Sequence, residues 1–134
     1  MTPLIDDLGP VCVISHIPLV CVCVLFFLYG RGKDAGQNWT VPDNLLHHNS
    51  TTLVKLLVTN NVKLCISGHI HLLDRVEYDG VHFVCDGAVS GNWWKGPFLE
   101  TPEGFGVFDL YADGTFDHQY VATGWKATPP PSGI

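Results

Sequence analysis

Hydrophobic and polar positions divide the chain into two unlike halves. In the first, apolar residues come in short, nearly unbroken runs, at Val11-Cys12-Val13-Ile14 and again from Val62 to Ser67. Such runs, bounded by turn-forming residues, suit strands buried on both faces of a parallel sheet. The first run ends in Ser15-His16-Ile17-Pro18. Proline cannot continue the ladder, so the strand stops by Ile17 and His16 stands at its carboxyl end. Between the runs a helix is predicted, starting near Pro42 or Asp43 and ending at Asn60-Asn61, with Leu45, Leu46, Leu53, Leu56 and Leu57 on its apolar face.

Beyond His71 the period changes to two, with Asx-Gly turns. Leu73 to Tyr78 and Val81 to Cys85 flank Asp79-Gly80, a strong hairpin signal, and Phe105 to Tyr111 and Thr115 to Val121 flank Asp113-Gly114 in the same way. Gly87 to Gly96 reads as a glycine-rich loop carrying Asn92, Trp93 and Trp94. Residues Met1 to Pro10 and Gly30 to Pro42 read as turn-rich and polar connections, Leu19 to Tyr29 matches no element, and 128–134 reads as a disordered Pro-rich tail after a single domain over 1–127.

The order strand, helix, strand pairs its strands in parallel through a right-handed crossover. Parallel strands end on the same edge, which is where ligands bind in open α/β sheets. His16 and the pair His69/His71 of Ser67-Gly68-His69-Ile70-His71 are therefore expected side by side, although far apart in sequence. Gly68 frees the backbone to bend or lets a ligand approach, and neutral imidazole is the commonest protein ligand for zinc and iron. Three converging histidines suit a hydrolytic zinc site or half of a two-metal centre. A dinuclear site also needs a bridging carboxylate. Asp34, Asp74 and Asp86 are near the expected edge, but each reads as a hairpin or loop residue. His82 reads as a strand residue opposite Tyr78 or nearby, and His47, His48 and His118 as surface residues. Trp93 and Trp94 fit either a substrate-facing wall or a cap on the core.

Composition narrows this picture. At 134 residues the chain is long enough for one domain with a real core. Charged residues make up 15% and the net charge is -6, which argues against disorder and against a nucleic-acid footprint. The five cysteines, an odd number scattered through apolar runs, read as small buried hydrophobes in a reduced, intracellular protein, Cys21 and Cys23 among them. Sequons at Asn38-Trp39-Thr40 and Asn49-Ser50-Thr51 carry meaning only in a secretory context. Val11 to Tyr29 has no charged residue and approaches the ~20 residues of a membrane span. Ser15, His16 and Pro18 interrupt it and Asp6 and Asp7 precede it, so a buried strand plus apolar loop in a soluble protein is the favoured reading.

Ser15-His16-Ile17-Pro18, followed by Ser67-Gly68-His69-Ile70-His71 and then Gly87-Ala88-Val89-Ser90-Gly91-Asn92-Trp93-Trp94 with its Asp-Gly hairpins, resembles the C-terminal half of calcineurin-like metallophosphoesterases. The resemblance covers about Val11 to Trp125. It implies a partial α/β/β/α sandwich with two divalent metal ions at the strand ends, Fe, Mn and Zn being indistinguishable. It implies His16 and His69 as ligands of one ion and His71 of the other, with a phosphoester as substrate. The chain departs from the family in lacking the Asp-x-His, Gly-Asp-x-x-Asp and Gly-Asn-His-Asp/Glu elements, and with them the bridging aspartate. It therefore resembles a fragment that needs the N-terminal half of the domain and is weak or inactive alone. The alternatives are a degenerate interaction module, acting through a sheet edge or the Trp93-Trp94 loop, and a protein anchored in a membrane through 11–29.

Overall fold

The computed structural model describes residues 9–24 and 44–128. Within them lie strands β1 (Val11–Ile14), β2 (Val62–Ser67), β3 (Asp74–Tyr78), β4 (Val81–Cys85), β5 (Gly104–Leu110) and β6 (Phe116–Ala122), and one helix, α1 (Ser50–Thr59). The class is mixed α/β, as the two periodicities require. The polar loop over 30–42 with Asp34, the sequon at Asn38, the helix start at Pro42 or Asp43 and all but Thr128 of the Pro-rich tail lie outside the described residues.

The main sheet has the order β1-β2-β4-β3. β1 pairs in parallel with β2, β2 in parallel with β4, and β3 closes the far side antiparallel to β4. The crossover through α1 thus produces the expected parallel pair, with Ile14 opposite Ile66. Asp79 and Gly80 both take positive φ, 50° and 79°, the requirement of a tight two-residue hairpin turn. His82 lies opposite Glu77, one residue from the expected Tyr78.

β5 and β6 form a separate two-stranded sheet. The three layers follow from side-chain alternation. Val81 and Phe83 of β4 join Val62, Cys65, Val54 and Leu57 in a core under α1. On the opposite face His82 meets Phe116 edge-on at 5.2 Å, and the Arg75 guanidinium lies 5.0 Å over the same ring. The buried Asp86 carboxylate and the His118 Nε2, 2.8 Å apart, fasten the hairpin to the end of β4. Gly106 has to be glycine there, because a Cβ would come within 2.0 Å of an Asp86 oxygen. This contact corrects one expectation, since His118 is not a surface residue; Asp86 lies in the connection just past β4, in keeping with its reading as a loop residue, and joins the layers there.

The helix is shorter than its leucine spacing suggests. Leu45 and Leu46 precede it and pack into a second apolar cluster with Cys21, Cys23, Val24, Ile70, Leu72 and Cys85. The Asn49 carbonyl accepts from the N–H groups of Thr52 and Leu53, so the first turn forms there. Tertiary packing overrides the local period. No helix among the described residues is long and apolar enough to cross a membrane, and Val11–Ile14 is a strand.

Candidate functional site

The carboxyl ends of β1 and β2 are tied together beyond the last strand residues. Ser15 N–H donates to the Ile66 carbonyl (2.9 Å), and Gly68 N–H donates to the His16 carbonyl (3.1 Å). These bonds fix the backbone on both sides of the rim and bring His16 and His69 together. His16 Nε2 lies 3.1 Å from His69 Nδ1, with the rings edge to face at 4.9 Å.

The protons on these rings follow from their partners. A carbonyl oxygen can only accept. His69 Nε2, 2.8 Å from the Asn44 carbonyl, therefore carries a proton and donates it. In neutral His69 this leaves Nδ1 with a lone pair aimed at His16. His71 repeats the arrangement: its Nδ1 donates to the Gly91 carbonyl at 2.6 Å, so its Nε2 is bare. A metal-binding histidine characteristically donates its other ring N–H to a carbonyl or carboxylate, which fixes tautomer and ring orientation. Both histidines of the Gly-His-x-His element do so.

The backbone beneath them is held in a conformation that side chains seldom adopt. His69 and His71 have φ of 71° and 60°. Residues other than glycine in the left-handed region cost on the order of 1–3 kcal/mol, and such strain clusters at ligand-holding positions. Gly68, in contrast, is not left-handed, and a Cβ there would meet nothing within 4 Å. The bend expected at Gly68 is taken up by the histidines themselves, and the space beside the glycine stays open. Ile70 between them is buried and anchors the turn in the second cluster.

His71 does not complete a three-ligand set with His16 and His69 among the described residues. It turns instead toward the glycine-rich loop, where Trp93 lies against it with ring centroids 4.5 Å apart. Gly91, which aims its carbonyl at His71, has φ of 51°, and a Cβ there would sit 2.6 Å from the Gly96 carbonyl oxygen. Trp93 and Trp94 are 61% and 55% exposed, so they do not cap the core. His47, read as a surface residue, reaches the same rim: its Nε2 lies 3.0 Å from Ser15 Oγ, which donates to the Ile17 carbonyl.

A second group of potential ligands, missed in the sequence, lies farther along the same edge. Asp74 is paired with Cys85 across the β3–β4 hairpin. The segment after Pro18 folds back over them, and the ligand atoms of Cys21, Cys23 and Asp74 all fall within 4.8 Å of one another. Hydrogen bonding to Cys23, then to Cys85, holds the Cys21 thiol well below the usual thiol range. Hydrogen bonding to Cys21, then burial, then the adjacent charge push Cys23 and Cys85 up. Burial, the larger effect, also raises the Asp74 carboxyl, opposed by its bond from the Cys23 N–H.

No family model and no curated protein matches this chain.

Proposed function

We propose that this chain forms part of the metal centre of a calcineurin-like phosphoester hydrolase, with His16 and His69 holding one divalent ion and His71 the other. The observation that carries the reading is the proton accounting at His69 and His71. Each gives one ring N–H to a backbone carbonyl and keeps the other nitrogen bare, on a strained turn at the sheet's ligand-binding edge. Bound divalent ions supply Lewis-acid charge and an activated water for attack on a phosphoester.

The chain's own residues do the holding. Ser15 and Gly68 lock the two strand ends, Asn44 and Gly91 orient the imidazoles, and the exposed Trp93 ring forms one wall beside His71. Three imidazoles cannot offset two dications, so in this reading the bridging carboxylate comes from residues outside this set. The helix, sheet and hairpin layers are what half of a four-layer sandwich would contribute.

The test is metal content and hydrolysis of p-nitrophenyl phosphate by the reduced full chain with added Mn2+ or Zn2+. His69→Ala and His71→Ala are each expected to lose about one equivalent of bound metal and the weak hydrolysis that accompanies it. Folded variants with metal content and hydrolysis both unchanged would remove the site.

A further inference from the structure

The histidine rim leaves the Cys21-Cys23-Asp74 group without a role, and its chemistry differs from that of the rim. We propose that Cys21, Cys23 and Asp74 form a separate thiolate-carboxylate site for a borderline-soft divalent cation of the zinc type.

Ligand convergence is the first support. Two sulfurs and a carboxylate oxygen within 4.8 Å of one another match the donor types that select zinc over calcium or magnesium, which take oxygen alone. The Sγ atoms of Cys21 and Cys23 are 3.1 Å apart. Two thiolates on a tetrahedral zinc stand roughly 3.7 Å apart, given Zn–S bonds of about 2.3 Å. A disulfide would need about 2.05 Å. The pair is thus closer to the zinc separation than to a covalent bond.

The second support is how the ligands are placed. Asp74 Oδ2 accepts from the backbone N–H of Val22 at 2.5 Å and of Cys23 at 3.0 Å. The carboxylate therefore fastens the Cys-x-Cys turn to the start of β3 and keeps a carboxylate oxygen within 4.8 Å of both sulfurs. Cys85, buried and paired in register with Asp74, donates its thiol to the Gly68 carbonyl at 3.1 Å and packs in the same apolar cluster as Cys21 and Cys23, which seats the group on the end of β4. Cys21 and Cys23 are buried among Val24, Ile70 and Leu72, which gives the thiolates a low-dielectric wall.

A way in exists from two sides. Cys23 lines a cleft with Leu72, Leu99 and Thr101, and Asp74 lines another with Arg75 and His118. The ligand form of cysteine is the thiolate, so binding displaces whatever thiol protons Cys21 and Cys23 still carry and releases them to solvent.

The experiment is titration of the reduced full chain with Co2+, then with Zn2+. Saturation at one equivalent of a thiolate-to-cobalt charge-transfer absorption, proton release on binding, and displacement of the band by Zn2+ are expected. His69→Ala should keep the band, which separates this site from the histidine rim, while Cys21→Ser/Cys23→Ser should abolish it. Asp74→Asn should weaken cobalt binding roughly tenfold or more. Cys12→Ser/Cys65→Ser, which leaves all three ligands in place, should keep the band. A reduced, folded native chain that shows no charge-transfer band, or a band that survives Cys21→Ser/Cys23→Ser, overturns the proposal.

Discussion

Two groups of ligand atoms share one edge of one sheet, and water reaches them differently. At the β1–β2 end, His16 is exposed and His69 half-buried; the two rings are bonded to each other, and His69 alone donates to a carbonyl of another segment, that of Asn44. At the β3–β4 end, Cys21, Cys23 and Cys85 are buried in an apolar cluster. Imidazole is neutral at neutral pH and loses little by standing in water, whereas a thiolate gains from a dry site only when a cation is there. The first group can be emptied without touching the core. The second is part of the core, and perturbing it should cost stability as well as ligands.

The largest expected effect follows from that difference. Asp74→Ala removes the acceptor of two backbone N–H groups, and unsatisfied groups of this kind cost about 1–3 kcal/mol. Because the Val22 N–H is exposed and can turn to water, the loss should be about 2 kcal/mol, read as a lower urea midpoint with an unchanged slope. If Asp74→Ala unfolds at the same midpoint as the native chain, the thiol end is no more structural than the histidine end and the contrast fails.

The histidine end has its own structural hinge, in the loop that orients His71. Gly91→Ala asks a Cβ to occupy the left-handed region and to approach the Gly96 carbonyl oxygen at 2.6 Å. A cost of about 1–2 kcal/mol is expected for the conformation. The Gly91 carbonyl should then move off His71 Nδ1, and the imidazole protons, followed by NMR, should lose their single fixed tautomer. A variant in which stability drops while the His71 resonances stay put would show that the ring is held by Trp93 alone.

The sequence announced these two ends unequally. Strands β1 and β2, their parallel pairing and the meeting of His16 with His69 could be read from apolar runs, Pro18 and the crossover rule, all of which are local or topological. The Asp79-Gly80 turn likewise fixes Asp74 opposite Cys85. What could not be read depends on segments that pack by shape. Leu45 and Leu46 satisfy a helical spacing, yet they serve the second cluster, and the turn they occupy delivers the Asn44 carbonyl to His69. The left-handed φ of His69 and His71 has no residue signature, since glycine stands just before them and is not the residue that bends. Cys21 and Cys23 looked like packing residues and are buried as such; only the fold-back of their segment onto Asp74 gives them a second meaning.

Cys65 tests whether burial alone, without clustering, sets thiol behaviour. It sits in the middle of β2, and burial, with a smaller contribution from Cys12, pushes its thiol up to about 11. An unfolded thiol titrates near 8.5. Between about 8.5 and about 11 the native state keeps a proton that the unfolded state has lost, so stability is full below that window and falls as pH rises through it. The slope of the urea midpoint against pH should flatten in this range in Cys65→Ala. Native Cys65 should also resist alkylation at pH near 8, where a thiolate is required. Rapid labelling of Cys65 in the folded chain would contradict both statements.

The smallest expected change in stability is at His16, and for that reason it discriminates best. Its ring is exposed, and the hydrogen bond it shares with His69 Nδ1 can be replaced by water when the ring is removed. His16→Ala should therefore unfold within about 0.5 kcal/mol of the native chain. Its consequence lies in binding: His69 Nδ1 loses the imidazole that faces it, and a single nitrogen holds a divalent ion weakly, so metal retained through dialysis at the rim should fall. The thiolate-cobalt band at the other end of the edge should be untouched. A His16→Ala chain that is markedly less stable would mean that the two rings form a structural contact, with the bare nitrogens of the rim serving the fold rather than an ion.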